Sequence, residues 1–139
     1  MSDKVPNMTD TERFFREIVD VHVTIERWFI GAARPADLVQ LLERFSPEFR
    51  MISMQGTALG KEGVGELFGR LHGKRPGLRI TVDEMHISHE WSGGACITYR
   101  ETHADAGGVQ TARRSTVVLE TSADGSLRWR HLHETPIAA

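Results

Sequence analysis

The sequence predicts an α+β domain, and three observations carry that expectation. Up to Leu71, apolar residues recur mostly at helical spacing. From Leu78 onward, stretches rich in Val, Ile, Thr and aromatic residues read as strands, separated by glycine-bearing turns. Helices gathered ahead of hairpin-linked strands describe helices laid on one face of a largely antiparallel sheet.

The first helix begins after a loosely ordered lead-in over residues 1–8. Thr9-Asp10-Thr11-Glu12 fits a capping box, in which a hydroxyl and a carboxylate each satisfy an open amide. Phe14, Ile18, Val21, Ile25 and Trp28 then mark the buried stripe, widened by Phe15, His22 and Phe29, until Gly31 ends it. His22 and Glu26 stand four apart on one side of that helix. Two readings of His22 stay open: a hydrogen-bonded core histidine, or one half of a His–Glu pair that holds or moves a proton at a cavity rim.

Pro35 suits the first turn of a short second helix, with Leu38, Leu41, Leu42 and Phe45 on its buried side. Phe49 to Met54 reads as a strand closed by Gly56. A third helix runs from about Lys61 to Leu71, burying Val64, Leu67, Phe68 and Leu71, and stops at His72-Gly73-Lys74-Arg75-Pro76-Gly77. Four strands follow: Leu78 to His89, Ala95 to Ala104, Gln110 to Thr121, and a last one through Trp129 to Thr135. Strict alternation along the last strand puts Trp129, His131 and His133 on one face and Arg130, Leu132 and Glu134 on the other. Neither face is purely polar or purely apolar, and a homodimer through the sheet is the simplest cover.

Composition excludes several classes of function. With 139 residues the chain is one domain's worth, long enough to bury a core without disulfides or metal. Seventeen basic against nineteen acidic side chains give no pull toward nucleic acid or an anionic membrane. The first residues lack a signal peptide's apolar run and nothing approaches a transmembrane span, so a cytoplasmic protein is expected. The single cysteine, Cys96, lies in an apolar run and reads as a buried structural thiol. His131 and His133 project together but lack a third ligand, so neither a metal nor any other cofactor is expected. His86, His89 and His103 fall near strand ends and read as solvated imidazoles.

The pattern Phe14-Phe15, His22, Trp28 and Gly31, then Phe49-Arg50-Met51, Ile97 to Glu101, Arg113 to Leu119 and Trp129 to Thr135 resembles the nuclear transport factor 2-like (NTF2-like) superfamily, and within it the SnoaL-like and DUF4440 group. The resemblance implies a cone: three helices packed on a curved, mixed, largely antiparallel sheet wrapped round the first helix, with an internal cavity and dimerisation through the sheet. It implies cavity-facing positions at Tyr99, Glu101, Arg114, Thr116, Arg130, Leu132 and Glu134, with room beside Tyr99 and Arg114. The kinase association domain is similar at the chain end, yet the positions where it carries cavity arginines fall at Glu101, Val118 and Glu134 here, so its anion pocket is not carried over.

Fold alone does not fix function in that superfamily. One expectation is acid–base chemistry of the isomerase, cyclase or dehydratase kind on a small, partly apolar molecule. Glu101 or Glu134 would be the base and Tyr99 a donor, while Arg114, His22, Glu26, Thr116 and Arg130 would contact the ligand. A buried Arg–Glu network that fixes strand register is the structural alternative. The other functional expectation is a non-catalytic, dimeric ligand-binding or assembly domain similar to the kinase association domain.

Overall fold

A computed structural model describes residues 8–139, so the lead-in expected over residues 1–8 lies almost wholly outside the described residues. Helix α1 spans Asp10–Ile30, α2 Asp37–Glu43 and α3 Lys61–Leu71. The strands are β1 Phe45–Ile52, β2 Ala58–Gly60, β3 Arg79–Trp91, β4 Gly94–Ala104, β5 Gln110–Thr121 and β6 Leu127–Ile137. They form one six-stranded sheet in the order β2-β1-β6-β5-β4-β3. Among the described strands only β1 and β6 run parallel; the remaining pairs are antiparallel. This is the α+β cone that the resemblance implies.

Local chemistry sets the helix ends. The Thr9 hydroxyl accepts from the Glu12 amide at 3.1 Å and opens α1. Gly31, at φ 83°, closes it in the left-handed region. Phe14, Ile18, Val21 and Trp28 are buried along α1, and the Trp28 indole donates to the Phe68 carbonyl at 2.7 Å, tying α1 to α3. No helix among the described residues is long and apolar enough to cross a membrane.

Tertiary pairing moves two boundaries. Phe45, expected to end the second helix, is instead the first residue of β1, because the Trp129 amide donates to the Arg44 carbonyl at 2.8 Å and Phe45 pairs with Trp129. β1 therefore starts ahead of Pro47, which falls within a register shift between Phe45 and Arg50; a residue without an amide proton is tolerated there. The three-residue β2 has no signature of its own in the sequence and exists by pairing with β1.

The last strand departs from strict alternation. Leu119 pairs with Trp129 and Val118 with His131, so Arg130 is an extra residue in β6, a β-bulge. Trp129 consequently lies on the same buried side as Leu132 and Glu134. The expectation that Trp129 shares a face with His131 and His133 is corrected by this one inserted residue. The Arg130 guanidinium donates to the Glu48 carbonyl at 2.7 Å, where β1 carries its own irregularity. Bulges in β3, between Asp83 and His86 and between Ile87 and His89, add to the sheet's curvature.

Candidate functional site

Alternation along β4 turns Ala95, Ile97, Tyr99, Glu101 and His103 inward, all of them buried. Antiparallel pairing then sets Glu101 opposite Arg113 and Tyr99 opposite Ser115, and Ser115 in turn opposite Glu134 of β6. The register is fixed by the turn after β4, where the Asp105 side chain accepts from the Gly107 and Val109 amides at 2.9 Å and Gly108 adopts φ 84°. Three carboxylate- or imidazole-bearing residues therefore come from two non-adjacent strands onto one patch of sheet beneath α1.

Above that patch lies a cavity of about 240 Å³. Hydrocarbon lines it from Ile25 and Phe29 of α1, Phe49 and Met51 of β1, Leu67 and Phe68 of α3 and Leu132 of β6; polar groups come from His22, Arg75, Glu101, His103, Arg113 and Glu134. Its volume is below the roughly 300–1,000 Å³ of drug-sized pockets, and its mix of apolar lining with a few convergent polar groups is what a small-molecule site requires.

Hydrogen bonds assign the protons in this wall. His22 Nδ1 lies 2.7 Å from the Ile18 carbonyl, which only accepts, so Nδ1 carries a proton. His22 Nε2 lies 3.0 Å from Glu101 Oε1. His103 Nδ1 lies 3.1 Å from Arg75, whose guanidinium only donates, so the His103 proton sits on Nε2 and points at Glu101 Oε2, 2.5 Å away. Glu101 thus accepts from two imidazoles, one on each oxygen.

Glu101 and Glu134 are pushed in opposite directions. Burial raises the Glu101 carboxyl, but the His22 charge and the hydrogen bonds from His103 and His22, with Arg113 behind them, outweigh it and hold it far below the usual carboxylate range. Burial likewise lowers His22, but the charge and hydrogen bond of Glu101 overcome it, so His22 is raised, in keeping with an acceptor beside each ring nitrogen. Glu134 is raised: burial leads, the Arg113 charge opposes it, and the Glu101 charge adds to it. Its hydrogen bond from Arg113 Nη1, at 3.4 Å, is long, so the carboxyl keeps open lone pairs. Of the two glutamates, Glu101 has an imidazole on each oxygen, and Glu134 is the more lightly held.

The remaining expected residues are dispersed. Tyr99 is fully buried behind His22, their rings edge to face at 5.4 Å, and does not line the cavity. Its hydroxyl and that of Ser115 are buried without a hydrogen-bond partner among the described residues. Burial, with the Glu101 and Glu134 charges nearby, pushes the phenol well up, so Tyr99 stays protonated. Glu26 accepts from the Ile80 amide at 2.7 Å, satisfying a backbone donor of edge strand β3 and not pairing with His22. Arg114 is exposed beside Glu84, and Arg130 lies beside Glu120 at 3.6 Å. Thr116 and the half-buried Cys96 also project from the outer face. The room expected beside Arg114 is therefore beside Arg113, one residue away, because a shift of one position on a strand exchanges faces.

Three cavity residues escaped the sequence reading. His103 had a signal: it follows Tyr99 and Glu101 at a period of two. Arg113 required the hairpin register, and Arg75 required the path of the α3–β3 loop over the cavity. Among the described residues no group of three or more His, Cys, Asp or Glu side chains is arranged to hold a metal ion.

No family model matches the chain, and neither does any curated protein. Solved structures do match. An NTF-2-like protein of unknown function from Pseudomonas aeruginosa is 42% identical, with TM-score 0.86, over 90% of this chain and 98% of that one. An NTF2-like protein from Cytophaga hutchinsonii is 15% identical, with TM-score 0.72, over 94% of this chain and 100% of that one. A protein described as a calcium/calmodulin-dependent protein kinase II association domain, from Xanthomonas campestris, is 11% identical, with TM-score 0.70, over 98% and 94%. The last two share the fold alone, whereas the first, at its identity and coverage, shows that the chain belongs to the NTF2-like family.

Proposed function

We propose that the protein binds a small, partly apolar molecule in the cone cavity and moves a proton to or from it, with Glu134 as the acid–base group. The observation that carries this is the opposed state of the two cavity carboxyls. Glu101 is locked between His22 and His103, while Glu134 is raised and lightly held. A base poised above the ordinary carboxylate range is stronger at neutral pH, and hydrocarbon opposite it excludes competing water. His22, Arg75 and Arg113 make the polar wall positive enough to favour negative charge developing on the ligand. Proton abstraction and return of this kind underlies isomerase-, cyclase- and dehydratase-like reactions, as expected of the SnoaL-like proteins that Trp129 to Thr135 resembles.

A chromogenic carbon acid tests this without knowledge of the natural substrate. A nitrobenzisoxazole, whose ring opens when a base removes its ring proton, is expected to turn over with a rate that rises as pH passes through the Glu134 titration. Glu134→Gln is expected to lose about 100-fold. A Gln variant as fast as the parent protein rules Glu134 out as the base.

The proposal includes a homodimer through the outer face of β4, β5 and β6. Thr98, Thr116, Val118 and His131 are only half-buried there and contribute nothing to the cavity. Sedimentation equilibrium is expected to give twice the chain mass, and a single-chain mass at micromolar concentration removes that part.

A further inference from the structure

The guanidinium groups lining the cavity outnumber the carboxyls left to meet them. Arg75 and Arg113 both line it, and so do two carboxyls, Glu101 and Glu134. Glu101 is spoken for on both oxygens. Among the described residues the Arg75 side chain meets only the His103 ring. Arg113 reaches Glu134 at 3.4 Å through one nitrogen, and its Nε is buried with no hydrogen-bond partner among the described residues. A buried guanidinium N–H left without an acceptor costs as much as a lost charge-assisted hydrogen bond, so such donors normally have a partner.

We infer that the cavity's ligand is a monocarboxylate with an apolar body, its carboxylate seated on Arg113 on the Arg75 side and its body against Phe49, Met51 and Leu132. This rests on the cavity reading above and narrows its ligand class. With Glu101 engaged by His22 and His103, Glu134 alone is left for two guanidinium groups, so the wall is one carboxylate short. A doubly charged phosphate would instead crowd Glu101 and Glu134 with like charge. A planar carboxylate also suits the guanidinium fork, and the small volume leaves room for one such head and a short hydrocarbon body.

The test compares phenylacetate with its neutral isostere phenylacetamide by isothermal titration calorimetry on the parent protein, with inorganic phosphate as competitor. Phenylacetate is expected to bind about 10-fold more tightly than the amide, and phosphate is expected to leave it in place. Arg113→Gln should bring the two ligands to parity, while Arg113→Lys, which keeps the charge and loses the fork, should retain part of the preference. Equal affinities in the parent overturn the carboxylate inference and leave the cavity reading standing. Displacement by phosphate also overturns it, by showing a site for any anion. Binding of neither aromatic ligand overturns both the inference and the small-molecule reading beneath it. The parent comparison needs no variant, so a misfolded substitution cannot obscure the result.

Discussion

Glu101→Gln is expected to unfold about 10 °C below the parent protein, whereas Glu134→Gln holds its midpoint. Glu101 receives a proton from His22 on one oxygen and from His103 on the other. A glutamine offers one acceptor and one donor, so one imidazole N–H would face an amide N–H. His22 would also lose the counter-charge that favours its protonated form against burial. Breaking a buried ion pair from one side costs about 3–5 kcal/mol, and each kcal/mol is worth about 3 °C in a domain of this size. Glu134 differs because burial already favours its neutral form, and an amide is close to that form in size and charge.

The same pair sets a pH window. Glu101 is held below its ordinary range, so its contribution is complete above about pH 4.3 and is lost as pH falls through its folded value. His22 is raised, so its contribution is complete below about pH 6.5 and is lost as pH rises through its folded value. Glu134 works the other way from Glu101, since ionising a raised carboxyl costs stability above about pH 4.3 until its folded value is passed. Thermal midpoints of the parent protein are therefore expected to peak between about pH 4.3 and 6.5 and to decline on both sides. In Glu101→Gln both flanks should flatten. A variant that keeps the parent's pH profile would show that the His22–Glu101 pair does not contribute this stability.

Inserting one alanine after Arg130 is expected to destroy the cavity, while Arg130→Ala costs under about 1 kcal/mol. The Arg130 side chain is on the outer face, giving one hydrogen bond to the Glu48 carbonyl and a long ion pair with Glu120. The backbone matters far more, because the bulge absorbs one extra residue and so keeps Leu132 and Glu134 on the side of Trp129. A second extra residue has no bulge to absorb it, and every residue beyond it changes face. Leu132 and Glu134 would turn out, and His131 and His133 would turn in against Phe49 and Met51. Removing Arg130 instead leaves plain alternation with Leu132 and Glu134 still facing in, so that deletion keeps the cavity lining. Circular dichroism and tryptophan fluorescence on heating should show either no cooperative transition or a much lower midpoint for the insertion. An insertion variant that melts with the parent would mean that β6 can absorb a second extra residue.

His103 and Arg113 show why the site was only partly legible in advance. His103 shares a face with Glu101 by a period of two that any strand imposes. Reading it as a solvated strand-end imidazole overlooked how deep the cone extends; the residue is buried. Arg113 and Arg114 are adjacent and chemically identical, and the choice between them rests on Glu101 pairing with residue 113 across a turn whose length the Asp105 hydrogen bonds fix. Arg75 belongs to a loop, and its reach to His103 depends on how α3 is set against the sheet.

By itself the sequence determined the kinds of elements and most of their limits, because helical and strand periods, a capping threonine and glycines at positive φ act over a few residues. It also placed His22 within the buried stripe of the first helix, while the inward position of Glu101 came from the family resemblance. Only the tertiary structure decided which residues meet in the cavity. That outcome depends on the bulge at Arg130, the parallel pairing of β1 with β6 and the register of β5. Strand partners far apart in the chain set these features through their hydrogen bonds, which no local pattern of side chains encodes.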